Sequence, residues 1–330
     1  MKNFLHKPKN IIILIIITVF YLILLNNLKS YHDKNGQVKD LLYLIDINVS
    51  RSNLNIVDLR EPFASNETIR CRKSIKVNNL ETTLCINDLK KDVLVSAQIW
   101  KNGVWQEKIL KKWINTIQNY KNCFVLDIGA NIGQYSLFAA KLGRDVISIE
   151  PFEDNILRIH KAAQMENLQK KILVIKNVIS NRKNELKVLT SPEIEQNNTG
   201  AQRIKINSLS INHSSIFPKV KQKYFVKTIL FDDLINYMPA YDCTIMKIDI
   251  DGFEPYAFQY SENFFKNYNV EFIIMEWGVF ANHVKVDESI VENMMRIFVI
   301  NDLYPFDLDE NRLRPRFWRQ WPLEVIWMKH

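Results

Sequence analysis

The sequence predicts an α/β fold: a doubly wound, mostly parallel sheet of seven strands with helices on both faces. Three observations predict it. FVLDIGANIGQYSLFAAKLGRDVISIEP (124–151) reads as strand, glycine turn, helix, strand. Short apolar runs recur at 172–179, 244–250 and 272–275, the composition of strands buried on both faces. Apolar residues at helical spacing mark helices at 154–168 and 289–303.

The chain opens with an apolar run, Ile11 to Leu25, broken only by Thr18 and preceded by Lys2, Lys7 and Lys9. A membrane span needs about 20 residues, and this run also falls within reach of a signal-peptide core. No small-x-small cleavage site follows; the chain reads Asn26-Asn27-Leu28-Lys29-Ser30. We expect an uncleaved signal anchor at 11–28 behind a cytosolic tail at 1–10. Lys29, Lys34 and Lys39 balance the charge across the span, so charge sets the orientation weakly. A short tail before a large domain favours a single-pass membrane protein with its catalytic domain in the lumen of the endoplasmic reticulum or Golgi. Sequons at Asn48, Asn66, Asn197 and Asn212 permit this location. In so Asn-rich a chain, about three would arise by chance.

Residues 29–94 read as stem and N-terminal luminal region, with a polar tether at 29–40. Apolar runs at 41–47 and 54–59 are expected to pack on the main domain, 95–330. Cys71 and Cys85 bracket SIKVNNLETTL, whose alternation around Asn78-Asn79 predicts a hairpin. A disulfide across it would suit an oxidising lumen. Cys123 and Cys243 each precede a core strand, and burial as small apolar residues is expected. No Cys/His spacing suggests zinc. Ile109, Trp113 and Ile117 mark an amphipathic helix leading into the first core strand. Apolar content of 47% supports a large core, and the net charge is +8. We read the basic residues as dispersed, without the arginine–aromatic stripe of a nucleic-acid binder, so no nucleic-acid partner is expected.

The turn after the first core strand carries the chemistry. Gly129 and Gly133 remove Cβ atoms where the backbone turns sharply and a ligand comes close. The spacing is D-x-G-x-x-x-G from Asp127, not the G-x-G-x-x-G of a pyrophosphate site. An acid at the strand tip suits a ligand with a positive end, and S-adenosylmethionine has an ammonium and a sulfonium. Glu150, at the tip of the second strand, is placed to hold a ribose diol. The expected cofactor-binding set is Asp127, Gly129, Ala130, Asn131, Gly133, Tyr135 and Glu150, with Asn177 and Val178 beside the adenine.

Five stretches together resemble the FkbM-type methyltransferases, a branch of the class I S-adenosylmethionine-dependent enzymes. They are VLDIGANIGQYSLFAAKLG (125–143), ISIEPFEDNILRIHKAAQMENL (147–168), NNTGAQRI (197–204), VKTILFDDL (226–234) and MKIDIDGFE (246–254). The last is similar to the family's K-x-D-x-E-G-x-E signature, with Asp251 where that pattern usually has Glu. The resemblance covers about residues 95–330. It implies a seven-stranded Rossmann-like fold closed by an antiparallel pair, and O-methylation of polyketide or sugar hydroxyls.

Lys247 and Asp249 sit two apart in an otherwise apolar strand, so they share a face. A buried pair is tolerated when mutually compensated. We assign Asp249 as first candidate for the base, with Lys247 positioning it, and Glu276 and His283 as further catalytic candidates. Glu254, three residues after Asp251 and beside Pro255, also reads as part of a helix-capping arrangement. Asp249 and Glu276 could hold a divalent ion, but nothing in the sequence requires one, and no metal ligand is assigned. Residues 190–222 read either as a lid over the active-site face or as an inserted disordered segment. With a luminal anchor, the expected acceptor is a glycan or glycolipid hydroxyl. The alternatives are a small lipid or secondary metabolite at the cytosolic face, or a catalytically inactive luminal binding protein. The oligomeric state is not legible.

Overall fold

Apolar runs pair side by side at the centre of the chain. In the computed structural model, residues 54–188 and 225–329 are described, apart from 64, 66, 283 and 285. The expected tail, anchor and tether, the four sequons, the 190–222 segment and His283 lie outside the described residues. No helix among the described residues is long and apolar enough to cross a membrane.

Ile56–Val57 (β1) precedes a hairpin of Arg70–Lys73 (β2) and Thr83–Ile86 (β3). Helices Val95–Asn102 (α1) and Glu107–Asn119 (α2) lead into Cys123–Ile128 (β4). Gln134–Lys141 (α3), Val146–Ile149 (β5), Glu153–Met165 (α4) and Ile172–Ile175 (β6) complete the first half. Val178–Ile179 (β7), Leu186–Val188 (β8) and Phe225–Ile229 (β9) make a small side sheet ordered β7-β9-β8. Cys243–Ile248 (β10), Glu254–Ala257 (α5), Glu262–Asn267 (α6) and Val270–Glu276 (β11) follow. Gly278–Asn282 (α7), Glu288–Ile300 (α8), Leu303–Phe306 (β12) and Glu324–Lys329 (β13) finish the fold.

The main sheet runs β1-β6-β5-β4-β10-β11-β13-β12. β6, β5, β4, β10 and β11 are parallel, and β13 is antiparallel to β11 and β12. The seven expected strands are present, and β1 adds an eighth, antiparallel to β6. The chain winds one way from β4 to β6 and the other way from β10 onward. Between β4 and β10 lies the topological switch point, where such sheets bind ligands.

Two expectations need correction. The run 172–179 is not one strand: β6 ends at Ile175 and β7 joins the side sheet. Asn177 makes the break, since its buried amide accepts the Asn55 N–H and donates to the Lys227 carbonyl. Cys123 and Cys243 are not isolated thiols. β4 and β10 are neighbours in a register that sets the two cysteines opposite each other, 4.5 Å apart at Cα, and they form a disulfide.

The hairpin follows expectation. Asn78 and Asn79 have φ of 51° and 62°, the left-handed pair that a tight hairpin turn requires. Cys71 and Cys85 face each other across it in a disulfide. Leu84 and Ile86 from the hairpin share one core with Ile159 and Ala163 of α4. Glu166 clamps the same contact, taking Lys73, Lys141 and Thr83 on its carboxylate. Breaking the pair with Cys71→Ser plus Cys85→Ser is expected to cost about 3 kcal/mol, the chain-entropy value for a loop of this size. Denaturant unfolding of the double variant checks it.

Candidate active site

A cavity of about 250 Å³ opens at the carboxyl ends of the central strands. Gly129, Ala130 and Asn131 line it after β4, Glu150 to Phe152 after β5, and Asn177 to Ile179 beyond β6. Lys247, Asp249 and Ile250 line it at the end of β10, and Glu276 at the end of β11.

The turn after β4 is closed on itself. Gly129 and Ala130 donate their N–H groups to the Ile149 carbonyl, and Gly133 donates to Ala130. Asn131 donates to Glu150 Oε2, and Ile132 to Asn131 Oδ1. No N–H of these five residues is left for a diphosphate, which agrees with the absent G-x-G-x-x-G. Both glycines have positive φ, as expected of the turn. Their missing Cβ atoms also serve close packing, and Gly129 lines the cavity. A Cβ on Gly129 would lie 1.9 Å from the Asp249 carbonyl oxygen, and one on Gly133 would lie 2.7 Å from Ile159.

Lys247 is the electrostatic centre. Its Nζ lies 3.1 Å from Asp249 Oδ2 and 4.8 Å from the centroid of the Tyr135 ring. Strand register places it beside Asp127. Burial opposes its charge, but Asp249, Asp127 and Glu324 together raise its pKa, so it remains an ammonium. Asp127 does not reach the cavity wall. It is fully buried, and its Oδ2 accepts Ser136 Oγ–H at 2.5 Å. Asp127 is thus not placed to meet a ligand's positive end directly; strand register sets Lys247 of β10 beside it, and Lys247 lines the cavity. Gly133 is likewise outside the wall, whereas Tyr135 is in it.

Two further acids at this end of the sheet are held protonated. Burial raises the pKa of Glu276 to about 10, with Asp249, Glu254, Asp251 and Glu324 adding repulsion. Burial, then Asp249, raises Glu324 to about 8. At neutral pH, Glu276 thus offers an O–H donor and not a base. Asp249 keeps 31% of its side chain exposed and is bound to Lys247, so it is the rim carboxylate suited to accept a proton. Among the described residues, no three His, Cys, Asp or Glu side chains are arranged to hold a metal ion.

Glu254 has a structural task, though not as a capping partner of Asp251. Its Oε1 accepts the Ile250 N–H at 2.8 Å and closes the turn from β10 into α5. Its Oε2 is buried without a partner, and burial raises its pKa to about 8. A pKa raised in the folded state stabilises fully below the unfolded value of 4.5, and that stability is lost as pH rises through 8. Glu254→Gln is expected to flatten the fall of Tm between these limits and to raise Tm at pH 8. Thermal unfolding across pH checks it.

Several wall residues carry no sequence signal. Gln134 exchanges two hydrogen bonds with the backbone of Trp105, at 2.8 and 2.9 Å, and so fixes the Trp105–Gln106 loop over the cavity. Gln106 reaches Glu324 at 3.4 Å across 218 positions. Phe152 and Ile179 add apolar surface.

S-adenosylmethionine fits this wall. Phe152, Val178 and Ile179 offer an apolar face for an adenine. Glu150 borders the cavity with its carboxylate toward the turn, its Oε1 accepting from Phe152 N and Asn155 Nδ2. With the Asn131 bond to Oε2, these make three bonds and leave acceptor capacity for a ribose hydroxyl. Burial raises the Glu150 pKa to about 7.

A doubly wound sheet with this site defines an S-adenosylmethionine-dependent methyltransferase. Residues 127–302, more than half of the chain, match the methyltransferase FkbM domain, and the chain belongs to that family. Solved structures similar to it include the O-methyltransferase from Bacillus cereus in complex with SAH. That match has 13% identity and a TM-score of 0.35, and covers 67% of this chain and 80% of the other. Precorrin-6y C5,15-methyltransferase from Geobacter metallireducens matches at 8% identity and a TM-score of 0.32, over 68% and 89%. No curated protein matches the chain by sequence.

Proposed function

We propose that this chain is an O-methyltransferase for a hydroxyl of a glycan or glycolipid in the secretory pathway, held by an anchor at 11–28 with its catalytic domain in the lumen. The observation that carries the reaction type is the Lys247–Asp249 pair in the cavity wall. S-adenosylmethionine, when bound, supplies an electrophilic methyl on a sulfonium. The protein then has to align the acceptor and take its proton. Asp249 is the group that takes it, and Lys247 fixes the carboxylate's orientation. Glu276, protonated, donates a hydrogen bond toward the acceptor. Tyr135, Trp105 and Gln106 wall off that side from water.

The location rests on the apolar run at 11–25, the permitted sequons and the two disulfides, which suit an oxidising compartment. The test is to secrete residues 30–330 from a eukaryotic host and supply methyl-labelled S-adenosylmethionine with glycans, glycolipids and small alcohols. Label in a sugar fraction, absent with Asp249→Asn, supports the reading. Label only in small alcohols or lipids overturns the acceptor. Sequons unoccupied on the full-length protein in its host would count against the lumen.

A further inference from the structure

Residues 312–319 break the even spread of basic residues expected above. They hold four of the chain's 13 arginines and no lysine, in a chain of 44 lysines and arginines. Arg312, Arg314, Arg316 and Arg319 are all exposed. A merely solvated basic face would be built of lysine, as most of this chain's basic residues are.

The segment is anchored to Trp277, the residue that follows the end of β11. Pro315–Gln320 forms a short 3-10 turn. Trp277 Nε1 donates to the Trp318 carbonyl at 2.8 Å, and the Trp277 and Gly278 amides donate to the Leu323 carbonyl. Trp277 directly follows Glu276, a residue of the cavity wall. Trp318 and Trp321 are buried against the Trp277 ring, which gives the segment a rigid base.

Three of the four guanidinium groups are stacked on aromatic rings. Arg316 lies 4.4 Å from the Phe317 ring, Arg319 4.1 Å from Trp318, and Arg312 4.5 Å from Tyr304. Stacking occupies the faces of a guanidinium and leaves its edge N–H groups outward, the geometry that grips an oxyanion through paired bonds. Arg319 pairs with Glu288 at 2.9 Å. Among the described residues, no acidic side chain pairs with Arg312, Arg314 or Arg316.

We propose that this segment is a subsite for an oxyanion carried by the acceptor glycan, a carboxylate, sulfate or phosphate group, next to the methyl-transfer cavity. The proposal rests on the glycan reading above. It assigns the cavity to the hydroxyl and the arginines to the charged group.

The test uses the secreted chain with bound S-adenosylhomocysteine and three fluorescent tetrasaccharides of equal length: neutral, uronic and sulfated. Single-stranded RNA is a fourth probe. The charged sugars are expected to bind about tenfold or more tighter than the neutral one, with affinity falling as salt rises. Arg314→Gln plus Arg316→Gln is expected to remove about tenfold of that preference without changing S-adenosylhomocysteine affinity. Equal binding of all three sugars, charged-sugar binding unchanged in the double variant, or RNA binding above every sugar overturns the proposal. Methyl transfer to neutral glycans would then still leave the glycan reading standing. If no glycan is labelled in the transfer assay, that reading itself fails.

Discussion

Asp249→Asn is expected to lower kcat by about 10²–10⁴, the usual contribution of a positioned proton acceptor. S-adenosylhomocysteine affinity should change little. The substitution is clean because the backbone of Asp249 is fixed independently of its side chain. Its N–H donates to the Ile128 carbonyl at 3.0 Å, and its own carbonyl packs against Gly129. Asparagine keeps the shape and loses the capacity to take a proton. Lys247 retains Asp127 beside it in the strand register, so the floor of the site stays partly compensated. Single-turnover methyl transfer measures the chemical step, and wild-type kcat in this variant would remove Asp249 from the mechanism.

Gly129→Ala is expected to have the largest effect on the fold. The added Cβ would sit 1.9 Å from the Asp249 carbonyl oxygen and 3.1 Å from Ile250 Cγ2. Neither side can move away cheaply, because the Ile128–Asp249 hydrogen bond ties β4 to the end of β10. Positive φ adds about 1–2 kcal/mol for any residue with a Cβ. We expect a loss of more than about 3 kcal/mol, the scale of other severe packing and backbone defects. Gly143→Ala is the control. Gly143 also has positive φ, at 83°, but nothing lies within 4 Å of an added Cβ. It should lose only the φ term. Equal Tm losses in the two variants would mean that the close approach at Gly129 does not matter.

Strand positions and turn chemistry were legible because they are local: apolar runs, glycines and acids fall at fixed spacings within 124–151. The hairpin was legible because Asn78-Asn79 favours the left-handed pair of angles. What was not legible depends on register between distant segments. The Cys123–Cys243 bond needs β4 and β10 to be neighbours in one alignment, 120 residues apart. The same alignment puts Lys247 against Asp127 and takes Asp127 out of the cavity wall. Trp105 and Gln106 precede the fold's first core strand, and Glu324 comes at its end, so no short pattern joins them. The protonation of Glu276 is a property of burial among four other acids, which sequence spacing does not report. The arginines of 312–319 are visible in the chain, but composition averaged over its whole length hides them.

The most direct measurement is calorimetric titration of S-adenosylhomocysteine into the secreted chain and into its Glu150→Ala variant, each checked for native circular dichroism. One site per chain is expected, weakened by about tenfold or more in the variant, because Glu150 both holds the Asn131 turn and borders the cavity. A folded wild-type chain that does not bind, or a folded variant that binds as tightly as wild type, would contradict the placement of the cofactor in this cavity.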